Sequence, residues 1–130
     1  NVSSSFRLYG GFGMPLIKVQ TNVSEVSGHS SELLLRGLSQ LLAEVLEKSE
    51  DYVMTVLEPQ SLMTFGGSPE PASYMEIKNI GTMTSEQTQR ISAAACALVK
   101  EHLGVEPGRV YLEFNDAQRH LWGWNSKNFA

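Results

Sequence analysis

The residue types that most often carry out chemistry are few in this chain and lie far apart. His29, His102 and His120 form no pair with the spacing of metal ligands, and Cys96 is the single cysteine. One cysteine excludes an intramolecular disulfide, a CxxC redox pair and a cysteine-rich zinc site. We therefore expect no metal ion, and we interpret Cys96, which lies in an alanine-rich segment, as a small buried apolar residue.

Composition limits the function further. The glycines of FGGSPEP, residues 65–71, are typical of turns, because no GK[ST] follows them as in a phosphate-binding loop. Ten Lys and Arg against fourteen Asp and Glu give a net charge of -4, which argues against a nucleic-acid partner. No apolar run approaches the roughly 20 residues that span a bilayer. The 130 residues therefore predict one soluble domain with no cofactor and no membrane insertion.

The folded domain is expected to cover residues 15–130. Residues 1–14 are rich in Ser and Gly and show no helical or sustained strand periodicity, so we interpret them as an N-terminal extension, either a leader or a remnant of expression. A secretory signal peptide would have a longer apolar core and a small-residue cleavage site.

The apolar pattern predicts the same order of elements twice. Alternation over residues 15–21 favours a strand, leucines at helical spacing over residues 32–48 favour a helix, and a second strand runs from Tyr52 to Pro59. Residues 72–81 are again strand-like. Thr84 and Gln87 match a capping box at a helix start, and Gly104 stands where a helix C-cap belongs. A closing strand begins at residue 109, and residues 123–130 form a short strand or an ordered tail.

The two halves have equal periods. Pro15 and Tyr52 are 37 residues apart, and so are Ala72 and Arg109. Two βαβ units predict an α/β (α+β) two-layer sandwich, in which two helices cover one face of a four-stranded sheet. Right-handed crossovers make the strands of each unit parallel. We expect apolar residues on the uncovered sheet face, supplied by strands such as VYLEF, and such a face favours oligomerisation.

Several segments together resemble the macrophage migration inhibitory factor family. They are MPLI at residues 14–17, TNV at 21–23, LMTFGGSPEP at 62–71, IG at 80–81, GRVYLEFND at 108–116 and GWNSKNFA at 123–130. The resemblance covers residues 14–130. It implies a tautomerase-like βαββαβ fold with a mixed sheet, assembled as a homotrimer whose uncovered sheet faces surround a central channel.

The resemblance also implies an activity, the keto–enol tautomerisation of α-keto acids such as phenylpyruvate. The family's base is an N-terminal proline, which corresponds to Pro15. A terminal secondary amine has a far lower pKa than a lysine, and an apolar pocket lowers that pKa further. Such an amine can take a proton next to a carbonyl and return it at the adjacent atom.

Seven further positions correspond to the family's substrate site. Lys48 corresponds to the cation that holds the substrate carboxylate, and Ile80 to the residue whose backbone N–H helps to bind the substrate. Tyr111 corresponds to a tyrosine from the neighbouring subunit, and Glu113 to an active-site asparagine. The wall around the aromatic part of the substrate is expected to comprise Trp122, Trp124 and Phe129. The alternatives are a helix C-terminal cation for Lys48 and plain packing for Tyr111 and the three aromatic residues.

Two departures from the family pattern concern the activity. Pro15 follows Met14, and an amide nitrogen has no basic lone pair, so the extended chain is expected to be inactive unless Pro15 is freed as the N-terminus. The charge of Glu113 would favour the ammonium form of the proline and oppose a carboxylate substrate, with partial compensation from Lys78.

Two further departures concern other properties of the family. Ala72 and Met75 stand at the positions of a CxxC pair, so we expect no thiol-oxidoreductase activity. Glu25 and Gln60 stand at the Arg and Asp of the proposed receptor motif. The alternative to an isomerase is a cytokine-like signalling or binding protein with a residual pocket and a cell-surface receptor. From the resemblance we expect a cytoplasmic location, with secretion by a route without a signal peptide as the second location.

Overall fold

The computed structural model describes residues 14–130, so the predicted extension, apart from Met14, lies outside the described residues. Short 3₁₀ turns at Glu50–Tyr52, Pro107–Arg109 and Arg119–Leu121 connect the longer elements. The helices and strands follow one another as β1 (Leu16–Thr21), α1 (Gly28–Leu46), β2 (Met54–Glu58), β3 (Ser73–Ile80), α2 (Ser85–Leu103), β4 (Val110–Ala117), β5 (Gly123–Trp124) and β6 (Lys127–Asn128).

The four longer strands form one mixed sheet in the order β2-β1-β3-β4. β1 is parallel to β2, β3 is parallel to β4, and β1 and β3 are antiparallel at the centre. The parallel pairs predicted from the two βαβ units are confirmed. In each unit the helix carries the chain back to the end of the sheet at which the first strand began, so the second strand runs in the same direction. The predicted two-layer fold is confirmed as well.

Helix α1 begins four residues earlier than the apolar pattern predicts. The Ser27 side chain accepts a hydrogen bond from the Ser30 N–H at 3.0 Å, which satisfies a donor that the first helical turn cannot use itself. At the other end, Glu47 has a left-handed backbone with φ 55, and the Lys48 N–H donates to the Ala43 carbonyl at 3.0 Å. Lys48 therefore lies just beyond the helix.

Helix α2 has the predicted caps. The Gln87 N–H donates to the Thr84 hydroxyl at 3.1 Å, and the Thr84 N–H donates to Gln87 Oε1 at 2.8 Å. Gly104 ends the helix with φ 72, in the left-handed region that favours glycine. The Gln87 side chain also donates to the Val45 carbonyl at 3.2 Å, which fixes the start of α2 against the end of α1.

The core lies between the helices and one face of the sheet. Alternate residues of β1 and β3 point into it, and each helix contributes a stripe with the spacing of one helical face. The fully buried apolar side chains of these elements include Ile17, Val19, Met75, Ile77, Leu34, Leu38, Leu42, Ile91 and Val99.

The prediction of an apolar uncovered face is wrong. The apolar residues of VYLEF, Val110, Leu112 and Phe114, pack against the core. The other face carries mainly polar and charged side chains, because strand alternation sends the residues between the core positions to it. On this face Lys18 of β1 forms an ion pair with Glu76 of β3, in which Lys18 Nζ lies 3.8 Å from Glu76 Oε1.

The loop at residues 59–72 is held by two polar side chains. Asn22 Nδ2 donates to the carbonyls of Pro69 and Glu70, both at 3.0 Å, and its Oδ1 accepts from the Ala72 N–H at 2.8 Å. The Arg109 guanidinium donates to further loop carbonyls, including that of Pro71 at 2.8 Å. These bonds satisfy loop carbonyls that have no strand partner.

Candidate functional site

One cavity opens where β3 ends beside the end of α1. It has a volume of about 380 Å³, and Lys48, Asn79, Ile80 and Gln87 are among its lining residues. Asn79 and Ile80 are buried, at 3% and 7% exposed. Two predicted site residues, Lys48 and Ile80, therefore share a cavity large enough for a small organic acid.

Pro15 lies at the same end of the sheet. Its ring is buried, and its carbonyl accepts a hydrogen bond from the Met54 N–H at 3.0 Å. Leu16 pairs with Lys78 in the antiparallel register of β1 and β3, so Pro15 lies one step further, beside Asn79. In this chain the Pro15 nitrogen belongs to a peptide bond with Met14, and it has neither a hydrogen nor a basic lone pair.

Lys48 is half-buried, and its electrostatic environment is unusual for a lysine. Burial lowers its pKa, and the nearby positive charge of Arg119 lowers that pKa further. Two cations that disfavour each other both gain from an anion placed between them. The positive charges of Lys48 and Arg119 therefore lie close enough to affect each other.

A second cavity, also of about 380 Å³, has aromatic walls. The rings of Tyr52 and Trp124 meet edge to face with centroids 5.4 Å apart, and Trp124 stacks on Phe129 at 6.1 Å. Arg119 lines the same cavity, and its Nε donates to the Phe129 carbonyl at 3.2 Å. Trp122 contacts this wall only through its backbone, where its carbonyl accepts from the Phe129 N–H at 3.2 Å, and its ring is not among the groups that line the cavity. The structure thus brings Trp124 and Phe129 together in one wall of this cavity.

Tyr111 and Glu113 lie on the uncovered sheet face, away from both cavities of the same chain. Tyr111 is 68% exposed, and its ring lies 5.0 Å from that of Phe65. Tyr111 pairs with Tyr74 in the sheet register, six residues before Ile80, which corresponds to roughly 20 Å along the strand. A single chain therefore does not bring Tyr111 to Lys48.

Glu113 takes part in a polar cluster on that face. The Tyr74 hydroxyl lies 3.0 Å from Glu113 Oε1 and 3.0 Å from Glu76 Oε2. Desolvation, the two hydrogen bonds and the negative charges of both carboxylates raise the pKa of Tyr74 to about 12. The Lys78 ammonium lies 4.0 Å from Glu76 Oε1 at the edge of the cluster.

Sequence reasoning missed three residues of these sites. The sequence predicts that Tyr52 begins a strand, whereas in the structure it lies in a 3₁₀ turn four residues after Lys48. Arg119 and Asn79 carry no local pattern, since one lies in a short turn and the other is a polar residue within a strand. An asparagine in an otherwise apolar strand face was the one available signal.

A sequence profile of the family described as macrophage migration inhibitory factor matches residues 14–130. The chain belongs to this family. The protein of that name from Meriones unguiculatus is 34% identical over 117 residues, which is 90% of this chain and all of the relative. Its counterpart from Rattus norvegicus is 33% identical over 117 residues, and the alignment covers the same fractions of the two chains. Residues 14–130 thus correspond to entire relatives, and they contain all the strands and helices described above.

Solved structures of family members have the same fold. A homologue from Prochlorococcus marinus is 39% identical and superposes with a TM-score of 0.82, covering 88% of this chain and 99% of its own. The family member from Toxoplasma gondii is 29% identical, with a TM-score of 0.83 and the same coverage.

Within residues 14–130, no three His, Cys, Asp or Glu side chains come together as metal ligands. None of the helices in this part of the chain is both long and apolar enough to cross a membrane.

Proposed function

We propose that the form of this protein that begins at Pro15 is a keto–enol tautomerase for α-keto acids of the phenylpyruvate type. The observation that carries the proposal is the position of Pro15 at the sheet end where Lys48 and Ile80 line one cavity. Membership of the macrophage migration inhibitory factor family supports it.

The chemistry needs only proton transfer. A terminal Pro15 has a secondary amine, and its neutral form removes a proton from the carbon next to the substrate carbonyl. The same proton is returned to the carbonyl oxygen, so one C–H bond breaks, one O–H bond forms and the amine is regenerated. Lys48 binds the substrate carboxylate, and the Ile80 N–H helps to bind the substrate. The aromatic ring rests against the wall formed by Tyr52, Trp124 and Phe129, where apolar side chains exclude water.

We further propose that the site is completed in a homotrimer by Tyr111 and Glu113 of a neighbouring subunit. Both side chains are exposed and distant from the cavity of their own chain. Leu62 and Met54, which are 102% and 58% exposed, offer apolar surface for contacts between subunits. Sedimentation equilibrium should show a trimer, and a monomer at micromolar concentration would contradict this assembly.

A second candidate function is signalling or binding without turnover. Two observations favour it, the peptide bond at the nitrogen of the buried Pro15 and the carboxylate of Glu113 where the family has an asparagine. In this case the cavity is residual, and the partner is a cell-surface receptor.

The deciding experiment compares chains that differ by one residue. A chain that starts at Pro15 has a free amine, whereas a matched chain that retains Met14 has an amide at the same nitrogen. Phenylpyruvate tautomerisation, followed by the absorbance of the enol, should be catalysed by the first chain only. Absence of turnover by the Pro15 chain would reject the tautomerase and leave the binding function. Equal turnover by both chains would reject Pro15 as the base.

A further inference from the structure

Asn79 contains a buried polar atom that has no partner. The residue is 3% exposed, and its Oδ1 accepts no hydrogen bond from any described residue. Buried amide oxygens are almost always hydrogen-bonded, because an unpaired one loses its interactions with water and gains nothing in return. The environment of Asn79 is therefore missing a donor.

The sheet register indicates which group stands next to this oxygen. β1 and β3 pair up to Leu16 and Lys78, so Pro15 and Asn79 form the next cross-strand pair. Both are buried, in step with the core-facing residues Ile17 and Ile77, so their side chains share the helix-covered face. Side chains of directly opposed residues have Cβ atoms about 5 Å apart. The proline ring, which contains the backbone nitrogen, is thus the group opposite the Asn79 side chain across the two strands.

We propose that Asn79 is a positioning residue, whose Oδ1 accepts a hydrogen bond from the secondary amine of Pro15 when Pro15 is the first residue of the chain. As a peptide nitrogen, Pro15 has no hydrogen to donate, which accounts for the unpaired oxygen in the extended chain. As a terminal amine it gains one N–H when neutral and two when protonated. The hydrogen bond itself does not depend on the proposed function, whereas its effect on catalysis rests on the proposed tautomerase.

The bond orients the base. The neutral amine has one N–H and one lone pair, and when the N–H points to Asn79 the lone pair points away from it, towards a substrate. Asn79 also lines the cavity of Lys48 and Ile80. An amine bonded to Asn79 Oδ1 therefore lies next to this cavity. An amide oxygen binds a charged donor more strongly than a neutral one, and Asn79 therefore stabilises the protonated amine.

Charged groups from every adjoining element also act on this amine. Glu47 and Lys48 line the cavity from the end of α1. Asp116 pairs with Asn79 in the register of β3 and β4, and its carboxylate accepts from the Gly81 N–H at 3.2 Å. Lys78 lies on the opposite face of β3. None of these changes when Asn79 is replaced, so a difference between variants at position 79 reports on this residue.

The first test is the pKa of Pro15 in chains that start at Pro15, measured by proline-selective NMR. Asn79→Leu removes the acceptor and should lower this pKa by about one unit, while Asn79→Asp adds an anion and should raise it. The control is Ser73→Ala, a buried polar residue at the far end of β3 whose hydroxyl donates to the Gln20 carbonyl at 2.8 Å; this change should leave the pKa unaltered. Unchanged values in both Asn79 variants, or shifts in the same direction, would overturn the proposal.

The second test uses stability and needs no activity. In the 130-residue chain, Asn79→Leu removes an unpaired oxygen, so the melting temperature should stay the same or rise. In the chain that starts at Pro15, the same change removes a hydrogen bond and should lower it. Equal shifts in the two chains would reject the bond between Asn79 and Pro15.

The two hypotheses fail in different ways. A Pro15 chain without turnover, in which the Asn79 variants still shift the pKa of Pro15 in opposite directions, would reject the tautomerase and retain the hydrogen bond. An active Pro15 chain in which the Asn79 variants leave the acid limb of the rate profile against pH unchanged would retain the tautomerase and reject the hydrogen bond. A crystal structure of the Pro15 chain with a water on Asn79 Oδ1 in place of the amine would likewise reject the bond.

Discussion

Tyr74 donates a hydrogen bond to Glu113 across two neighbouring strands, with the hydroxyl oxygen 3.0 Å from Glu113 Oε1. The same hydroxyl lies 3.0 Å from Glu76 Oε2, so one hydrogen is shared by two carboxylates. The phenol thereby holds Glu113 in one orientation on the uncovered face. This face is a polar network and not the apolar surface that the strand sequence suggests.

The first prediction concerns the titration of Tyr74. Desolvation, the hydrogen bonds and the charges of Glu113 and Glu76 raise its pKa from 10.0 to about 12, so the folded protein keeps this proton longer than the unfolded chain does. Its contribution to stability is complete below pH 10 and is lost as the pH rises towards 12. Phenolate absorbance should show a late step that Tyr74→Phe abolishes and Tyr111→Phe retains. Loss of the late step in Tyr111→Phe alone would contradict the assignment.

The second prediction concerns Glu113 in a chain that starts at Pro15. Its carboxylate favours the protonated amine and repels an acidic substrate, so Glu113→Asn should raise kcat/KM for phenylpyruvate. An increase of roughly tenfold is expected if the carboxylate raises the pKa of the amine by one unit. The comparison is a set of rate profiles against pH, with Glu106→Gln, an exposed carboxylate that pairs with Lys100, as control. An unchanged or lower rate in Glu113→Asn would show that the carboxylate does not act on the site.

The third prediction concerns the pair of cations near the cavity. Burial lowers the pKa of Lys48, and the charge of Arg119 lowers it further, so Arg119→Gln should raise this pKa without restoring the ordinary lysine value of 10.5. Because the folded state binds this proton less readily than the unfolded chain, Lys48 makes the protein more stable as the pH rises towards 10.5. NMR of methylated lysines provides the measurement.

The matched control for this pair is Arg90→Gln. Arg90 lies on α2, where its guanidinium is 3.9 Å from Glu44 Oε2, whereas the lowered pKa of Lys48 is due to burial and Arg119. A shift of the Lys48 signal in Arg90→Gln as large as that in Arg119→Gln would mean that general surface charge, and not proximity, sets the pKa of Lys48.

The fourth prediction concerns the loop at residues 59–72. Asn22→Ala removes the donors to the Pro69 and Glu70 carbonyls and the acceptor for the Ala72 N–H, and should lower the free energy of unfolding by about 2–3 kcal/mol. Urea denaturation measures this change, and Gln40→Ala, at an exposed position of α1, should stay within about 0.5 kcal/mol. A loss below that range in Asn22→Ala would show that Arg109 holds the loop alone.

Much of the fold could be predicted because its signals are local. The capping box of Thr84 and Gln87 and the glycine at position 104 define α2 within a few residues of the chain. The start of α1 was missed because Ser27 caps a polar turn that carries no apolar stripe. The polarity of the uncovered face was missed because alternation shows two faces without telling which one the helices cover.

The candidate site could be predicted only in part. The resemblance to the family supplied Pro15, Lys48 and Ile80, and the structure places them at one end of the sheet. Tyr52 and Arg119 join the aromatic cavity from turns whose course depends on the packing of the whole chain. No spacing along the sequence connects them.

The two βαβ units and their caps could be predicted from the chain alone, because periodicity and capping depend on residues within one or two turns of each other. The position of Pro15 opposite Asn79 and the hydrogen bond from Tyr74 to Glu113 arise only in the folded sheet. Both relationships depend on strand register, which is set by the simultaneous packing of the sheet against both helices.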